Sequence, residues 1–269
     1  MKDLLNALSR WQAEAAPMAC VQVMEVQGST PREAGAFMLV GEGWHTGTIG
    51  GGCLEWDSVQ HARTLLRTGG AECVYRFVLG PETGQCCGGR VEVRVARMNA
   101  ALALALQQQL ARQQQSWPVL VLFGAGHVGR ALARALAPLP LRLIWVDPRA
   151  EEFGPVPEGV EARITSGWEQ VLAEAPPGSG ILVLTPSHTL DALIVAAALE
   201  RGDFSYVGLI GSRTKRRRFE AGFREIGLPE ERIASVICPI GARGVRDKRP
   251  EIIAALVAAE LIERFLTPS

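Results

Sequence analysis

The clearest indication of the fold is an apolar run followed by three spaced glycines, Val119-Leu120-Val121-Leu122-Phe123-Gly124-Ala125-Gly126-His127-Val128-Gly129. Its first five residues are apolar, which predicts a buried β-strand. The glycines that follow have the GxGxxG spacing, and a helix is predicted over 128–137. In such a strand–turn–helix unit, Gly124 allows the tight turn, Gly126 lets the backbone approach a pyrophosphate, and Gly129 lets helix and strand pack closely. The stretch therefore predicts a turn that can bind a dinucleotide.

The next predicted strand supports the same interpretation. It spans 141–146 and is followed by Asp147, close to the separation of about 20 residues that is typical of dinucleotide-binding turns. A carboxylate at this position would accept hydrogen bonds from a ribose diol and repel a 2′-phosphate, which makes NAD a candidate cofactor. The alternative is a domain of the same fold that keeps the turn and binds no dinucleotide.

Strands and helices alternate from Val119 onward. The predicted strands span 119–123, 141–146, 160–164, 180–184 and 206–210, with helices between them and a closing helix over 250–265. This alternation predicts an α/β unit, a Rossmann-like doubly wound parallel sheet with helices on both faces.

The chain before this unit has a different pattern. An amphipathic helix over 1–16 precedes short strands, and further helices are predicted over 54–67 and 100–115. The predicted strands span 18–26, 36–40, 44–49, 72–79 and 90–97. Pro118 disfavours helix at the residue before it. We therefore predict a smaller N-terminal α+β domain over 1–116 and a Rossmann-like domain over 117–269.

One loop of the N-terminal domain carries two adjacent thiols. Cys86 and Cys87 lie between glycines in the segment 84–89. Thiolates are soft ligands suited to soft metals and sulfur chemistry, and the glycines allow the loop to wrap closely around a ligand. The alternative is a tight turn with two half-buried thiols, since free cysteine packs well in protein interiors.

Two further loops of this domain carry candidate binding residues. Gly51 and Gly52 open a helix that begins beside Cys53, and consecutive glycine N–H groups at a helix start can bind an anion. Arg32 lies in the turn-rich segment 28–35. The alternative is a glycine turn that only caps the helix.

Two loops follow strands of the parallel sheet, at the edge where such folds bind ligands. Ser212, Arg213 and Lys215 lie at a strand-to-helix turn, where backbone N–H groups and cationic side chains can hold a phosphate. His188 follows the preceding strand and is a candidate acid/base group that Asp191 would orient. The alternative for that pair is a solvated helix start.

Composition limits the classes of function. The 269 residues include 28 acidic and 28 basic side chains, so no overall charge favours nucleic acid or a membrane surface. The basic run 216–218 is interpreted as the solvated face of a helix. No stretch approaches the roughly 20 apolar residues that span a bilayer, and no secretory signal is present. We expect a cytoplasmic protein with six reduced cysteines and, because no CxxC pair occurs, no structural zinc.

Taken in order, five segments resemble the XdhC/CoxI family of xanthine dehydrogenase accessory proteins. They are Gly28-Ser29-Thr30-Pro31-Arg32-Glu33-Ala34-Gly35, Gly47-Thr48-Ile49-Gly50-Gly51-Gly52, Gly84-Gln85-Cys86-Cys87-Gly88-Gly89-Arg90, Gly208-Leu209-Ile210-Gly211-Ser212 with Lys215, and Cys238-Pro239-Ile240-Gly241. The resemblance implies a non-catalytic carrier. Such a protein would receive the molybdenum cofactor (molybdopterin) as cargo, protect it while its sulfur ligand is installed, and deliver it to a xanthine dehydrogenase-like molybdoenzyme.

The resemblance also implies partners, and on this interpretation as a carrier we assign roles to the candidate residues. A homodimer is expected, with a cysteine desulfurase as a further partner. Cys86, Cys87 and Cys53 would contact or protect the metal–sulfur centre, while the glycine N–H groups and Arg32 would hold the pterin phosphate.

This chain departs from the family at two places. Cys53 stands where many members have histidine, and the segment 241–250 differs from the usual continuation. The alternative function is an NAD-dependent oxidoreductase that uses the Rossmann-like domain, with His188 as its acid/base group.

Overall fold

The computed structural model describes residues 2–80, 88–242 and 244–267. The chain divides into two compact units, Met1–Gln113 and Gln114–Ser269. The sequence predicts this division a short way further along the chain, between residues 116 and 117. Each unit encloses hydrophobic core clusters of its own.

The N-terminal unit is built on an antiparallel sheet. Its described strands are β1 (Ala19–Gln27), β2 (Phe37–Val40), β3 (His45–Gly47), β4 (Glu72–Val78) and β5 (Arg90–Arg97). They are paired in the order β3-β2-β1-β5-β4. The described helices are α1 (Lys2–Glu14), α2 (Gly52–Thr68) and α3 (Ala100–Gln115).

Both faces of this sheet are covered, because successive side chains of a strand point to opposite sides. Val21 of β1 packs in one core cluster with Leu54 of α2. Its neighbour Cys20 packs in the other cluster with Leu8 of α1 and Leu106 of α3. The unit therefore has three layers, with α2 on one face and α1 and α3 on the other. This is the α+β unit that the sequence predicts.

The C-terminal unit is built on a parallel sheet. Its described strands are β6 (Val119–Phe123), β7 (Arg142–Asp147), β8 (Glu161–Ile164), β9 (Gly180–Val183) and β10 (Tyr206–Leu209). They are paired in the order β10-β9-β6-β7-β8, every pair parallel. The strand order reverses direction at β6 and β9, and in sheets of this kind ligands bind at that point of reversal.

Helices cover both faces of the parallel sheet. The described helices are α4 (His127–Leu136), α5 (Trp168–Glu174), α6 (His188–Arg201), α7 (Arg213–Glu225), α8 (Glu230–Ser235) and α9 (Pro250–Leu261). Val121 of β6 packs with Ile194 of α6. Leu120 packs on the opposite face with Leu132 of α4 and Val257 of α9. The predicted Rossmann-like doubly wound sheet is confirmed.

A further segment extends the sheet beyond β10. Ile237 forms a parallel bridge with Gly208. The Leu209 N–H donates to the Ile237 carbonyl oxygen over 2.9 Å, and the Ile237 N–H donates to the Val207 carbonyl oxygen over 2.9 Å. Residues near 237 therefore occupy the place of a short sixth strand.

Several element boundaries shift by one or two residues from the predicted ones, and two of the differences have an identifiable cause. The strand predicted over 44–49 spans only His45–Gly47, because the glycines at 47 and 50–52 all have positive φ, which is incompatible with extended strand backbone. The helix predicted to reach 265 is α-helical only to Leu261 and continues as a π-helical turn, Ile262–Leu266. In that turn the Thr267 N–H donates to the Ile262 carbonyl oxygen, five residues back.

Within the described ranges, the helices are all too short or too polar to cross a membrane.

Candidate functional site

The turn between β6 and α4 lies against the end of β9. Gly124 has a φ of +118°, and a Cβ atom there would lie 2.3 Å from the Leu184 carbonyl oxygen. A Cβ at Gly129 would lie 2.1 Å from the Gly124 carbonyl oxygen. A Cβ atom at Gly126 would have no atom of the described chain within 4 Å, apart from those of its two chain neighbours. Two of the three glycines are thus required by the chain's own packing, and Gly126 faces open space.

Asp147 lies beside this turn at the end of β7 and is 3% exposed. Its Oδ2 accepts hydrogen bonds from the Ala125 N–H and from Nη2 of Arg149, each over 2.8 Å. Its Oδ1 accepts from the Arg149 backbone N–H over 3.0 Å and from Nε over 2.9 Å. Both oxygens are bonded to the chain itself, so a ribose diol, the predicted partner, would have to displace Arg149.

These contacts also set the charge state of Asp147. Burial acts to raise the pKa of the carboxyl group, because it penalises the charged form. The hydrogen bonds from Arg149 and Ala125, with the Arg149 charge, outweigh burial and hold the pKa below its ordinary value. Asp147 is therefore an ionised group that fixes the turn.

The polar residues after β9 and β10 form one hydrogen-bonded group around the buried Asp191. Oδ1 of Asp191 on α6 accepts hydrogen bonds from the Thr185 N–H over 2.9 Å and from Thr185 Oγ1 over 2.8 Å. Its Oδ2 accepts from Nζ of Lys215 over 2.6 Å, and Lys215 also donates to the Ile210 carbonyl oxygen over 3.0 Å. His188 is exposed at the start of α6. Asp191 therefore holds Lys215 and Thr185 in place, and the predicted pairing in which it orients His188 is not formed.

Ser212 caps helix α7. Its Oγ accepts a hydrogen bond from the Lys215 N–H over 3.2 Å, which satisfies one of the amide groups that a helix start leaves unpaired. Ser212 and the Lys215 side chain are thus both bonded within the chain. The Ser212 hydroxyl can still donate to a phosphate, and two of the three N–H donors of the Lys215 ammonium group are already in use.

The turn-rich segment 28–35 contacts described residues of both other candidate loops of the N-terminal unit. A Cβ at Gly50 would lie 2.3 Å from Cγ of Pro31 and 3.7 Å from Cγ of Arg32, so the glycine triplet lies against the turn that carries Arg32. A Cβ at Gly89 would lie 2.3 Å from the Ser29 carbonyl oxygen. Gly89 is the last residue of the segment 84–89 that carries Cys86 and Cys87. The segments 28–35, 50–53 and 88–89 therefore form one cluster, here called the glycine-loop cluster.

Within this cluster the glycine triplet is partly bonded to its own chain. Gly50, Gly51 and Gly52 have φ of +127°, +75° and +64°. The Gly50 N–H donates to Oγ1 of Thr48 over 3.1 Å, and the Ile49 N–H donates to Oε1 of Glu55 over 3.1 Å. A Cβ at Gly51 would lie 3.8 Å from Oε2 of Glu55. The carboxylate of Glu55 thus occupies part of the place where the sequence predicts a bound phosphate.

The thiols of the cluster are only partly within the described structure. Cys53 is exposed in the first turn of α2. Cys86 and Cys87, the other predicted ligands, lie outside the described residues. In the residues that the structure does describe, no group of three or more His, Cys, Asp or Glu side chains is arranged to hold a metal ion.

Sequence reasoning did not select three residues that the structure places at these sites. Arg149 covers Asp147, Thr185 bonds Asp191, and Glu55 bonds the glycine loop. Arg149 and Glu55 could have been found from their positions in the sequence. Arg149 lies two residues after Asp147, and Glu55 lies in the first turn of the helix that follows the glycine triplet. Polar side chains at such positions often bond nearby residues. The contact of Thr185 with Asp191 spans six residues, the same separation as the contact of Glu55 with the Ile49 N–H; sequence reasoning missed it because Asp191 was assigned to His188.

Comparison with known proteins gives two matching family models. Residues 120–261 match the XdhC Rossmann domain, and residues 11–78 match the XdhC and CoxI family. The uncharacterized protein YqeB of Escherichia coli strain K12 is 26% identical over 268 residues, which cover 97% of this chain and 46% of YqeB. The chain thus spans about half the length of that relative.

A solved structure has the same fold. A crystal structure from Bacillus halodurans, described as a xanthine dehydrogenase, matches with a TM-score of 0.76 at 19% identity and covers 99% of this chain and 96% of its own. The XdhC Rossmann-domain model alone spans more than half of the residues. This chain therefore belongs to the XdhC and CoxI family.

Proposed function

We propose that this protein is an accessory protein that binds the molybdenum cofactor as cargo, protects it, and delivers it to a xanthine dehydrogenase-like molybdoenzyme. The observation that carries the proposal is the glycine-loop cluster, in which the segment 28–35 contacts both other candidate loops of the N-terminal unit. Membership of the XdhC and CoxI family supports the accessory role. In this proposal the protein is not itself an enzyme.

The described residues of the cluster suit parts of such a cargo. Arg32 is exposed and lies beside Gly50, and a guanidinium group is the side chain best suited to a pterin phosphate. Cys53 is exposed in the same cluster and offers a soft sulfur donor. Because Glu55 already bonds the loop, we assign the phosphate to Arg32 rather than to the glycine N–H groups. Cys86 and Cys87 complete the proposed set of thiols.

The polar residues of the C-terminal unit favour binding over turnover. An acid/base catalyst needs a titratable group held within hydrogen-bond reach of its partner. Here the candidate base His188 is exposed, and the Asp191 carboxylate is bonded to Lys215 and Thr185. Among the described residues, no acid/base pair of this kind supports the alternative function, an NAD-dependent oxidoreductase. A homodimer, a cysteine desulfurase that supplies sulfur, and a cytoplasmic location belong to the same proposal.

The test is to add protein loaded with cofactor to apo-dehydrogenase and to measure the activity recovered. A carrier releases what it holds and no more, so the recovered activity should reach a plateau at one active site per bound cofactor. Recovery of many active sites per loaded molecule, with no further cofactor supplied, would mean that the protein is a catalyst.

Variants of the cluster test the assigned residues. The variant Arg32→Gln should weaken cofactor binding by about ten- to a hundredfold, because a charge-assisted hydrogen bond contributes about 1.5–3 kcal/mol and 1.4 kcal/mol is a factor of ten. Cys53→Ser should also shorten the time for which the cofactor is retained. The matched controls are Arg112→Gln and Cys73→Ser, which change exposed residues of the same unit outside the cluster. Equal losses in the controls and the cluster variants would contradict the assignment.

A further inference from the structure

The C-terminal unit contains a cleft at the open edge of its parallel sheet. Its volume is about 630 Å³, within the range of about 300–1,000 Å³ that is usual for sites of small ligands. One wall is α7, which packs on one face of the sheet, and another is the end of α9, which packs on the opposite face. The segment 234–239, which extends the sheet beyond β10, lies between them.

Arginines dominate the charge of this cleft. Arg213, Arg216 and Arg217 lie on one face of α7, at the i, i+3 and i+4 spacing, and Arg264 lines the cleft from the segment after α9. The run 216–218 is predicted as a solvated helix face; Arg217 and Arg218 are exposed as predicted, whereas Arg216 is half-buried and bonds Glu220 and the Cys238 carbonyl oxygen. Arg216 and Arg217 turn to the cleft, while Arg218 lines a separate groove between α6 and α7.

The carboxylates of the cleft already have partners. Oε1 of Glu220 accepts from Nε of Arg216 over 2.6 Å. Glu260 accepts from the Tyr206 hydroxyl over 2.8 Å and from the Gly241 N–H over 3.2 Å. Within the part of the chain that the structure describes, no carboxylate pairs with the other three cleft arginines, Arg213, Arg217 and Arg264. Those arginines are available to an anion.

The remaining wall is neutral and largely apolar. Ala234, Val236, Ile237 and Pro239 line it, together with Cys238. Burial raises the pKa of the Cys238 thiol, and the nearby charges of Lys215 and Arg216 only partly oppose this. The thiol is thus protonated and is a weak metal ligand, since metals bind the thiolate. The wall is therefore uncharged and offers apolar surface rather than a metal ligand.

We propose that this cleft binds a nucleotide, with its phosphates held by Arg213, Arg217 and Arg264 and its base against the apolar wall of residues 234–239. Arginine binds phosphate oxygens through paired N–H donors. The apolar surface of a heterocyclic base is removed from water when the base packs on apolar side chains, which is favourable. This site is separate from the glycine-loop cluster, so it goes beyond the carrier function and does not depend on it. It is also separate from the Gly124–Gly129 turn, which contributes no residue to the cleft.

The experiment is calorimetric titration of the full chain with ADP. The double variant Arg213→Gln/Arg217→Gln should lower the affinity at least tenfold, and Arg264→Gln, on a different element, should lower it severalfold. The matched control is Arg218→Gln, which removes the same charge from the same helix on the side away from the cleft. Its affinity should stay within twofold of the parent. A parent that binds no ADP at millimolar concentration, or a control as weak as the double variant, overturns the proposal.

Two further titrations locate the ligand. Gly126→Val fills the open space at the dinucleotide turn and should leave ADP binding unchanged; loss of binding in this variant would place ADP at the turn instead. Inorganic pyrophosphate should bind at least tenfold more weakly than ADP, because it has no base to pack on the apolar wall. Equal affinities for the two would overturn the part assigned to that wall.

Discussion

Gly124, Gly126 and Gly129 have one spacing in the sequence and different physical roles. Gly124 is needed for its left-handed backbone and for its approach to the Leu184 carbonyl oxygen. Gly129 is needed because α4 crosses the turn too closely for any side chain. Gly126 has a φ of −64°, which any residue adopts, and open space beside it. The packing of the chain itself thus explains glycine at 124 and 129, whereas glycine at 126 is explained by no contact in the described parts of the chain and suits the approach of a ligand.

This difference predicts the stability of three alanine variants. Gly124→Ala and Gly129→Ala should each lower the free energy of unfolding by about 2–4 kcal/mol, because the new Cβ must displace backbone atoms. Gly126→Ala should cost less than about 1 kcal/mol, the difference expected at a helix N-cap. Denaturant unfolding of the three variants measures these values. If Gly126→Ala were as unstable as the other two, the space beside it would not be open.

Asp147 illustrates a second point at the scale of the residue. A carboxylate at the end of the second strand of a Rossmann-like sheet is expected to meet a ribose. Here Arg149, two residues further on, bonds both carboxylate oxygens. Glu152 in turn lies 3.5 Å from Nη1 of Arg149 and 3.1 Å from Nη1 of Arg130. The carboxylate that would select NAD is thus the first member of a chain of ion pairs that the protein makes with itself.

At the scale of the element, a buried ion pair joins two helices. Lys215 of α7 and Asp191 of α6 lie 2.6 Å apart, and Asp191 is fully buried. Because Asp191 also bonds Thr185, the pair fixes both helix starts to the loop after β9. Tyr206 plays a similar part on the other face of the sheet, where its hydroxyl bonds Glu260 of α9. Burial, with the neighbouring Glu260 charge, raises the pKa of Tyr206 well above its ordinary value, so the hydroxyl remains a donor.

The ion pair predicts a large effect for a single substitution. Lys215→Met keeps the side-chain volume but leaves the Asp191 carboxylate buried without its counter-ion, which should cost about 3–5 kcal/mol. The control Arg218→Met, three residues further along α7 and exposed, should change stability by less than about 0.5 kcal/mol. Thermal or denaturant unfolding gives both values. A cost for Lys215→Met no greater than that of the control would show that water, not Lys215, satisfies Asp191.

At the scale of the whole molecule, each unit has its own core. The clusters that contain α2, or α1 and α3, consist of residues before 114, and those on the two faces of the parallel sheet consist of residues after 113. A unit of more than 100 residues with a continuous core is large enough to fold alone.

We therefore expect each fragment, 1–113 and 114–269, to fold when it is expressed separately. Each should give the circular dichroism of its own elements and a cooperative unfolding transition. Fragment 114–269 should also bind ADP as the full chain does. A fragment that unfolds without a transition, while the full chain shows one, would mean that the units depend on each other for stability.

The order and type of the elements could be read from the sequence because their causes are local. The apolar run 119–123 forms a buried parallel strand, and β5 and α3 begin and end where periodicity predicts. Boundaries differ from the predicted ones where glycines interrupt the pattern, as after β3. The spacing of apolar residues within a short stretch of chain is enough to indicate which face of a helix or strand is buried.

The two kinds of unit, the parallel sheet of the second unit and the loops that carry the candidate residues all follow from local sequence patterns. The order of the strands in that sheet, and which of the candidate residues keep a free polar group, are visible only in the folded chain. Asp147, Lys215 and the glycine triplet are bonded within the chain, whereas Arg213 and Arg217 are left facing a cleft. The physical reason is that a buried polar group must be paired, and its partner often lies more than 20 residues away, as Asp191 does from Lys215.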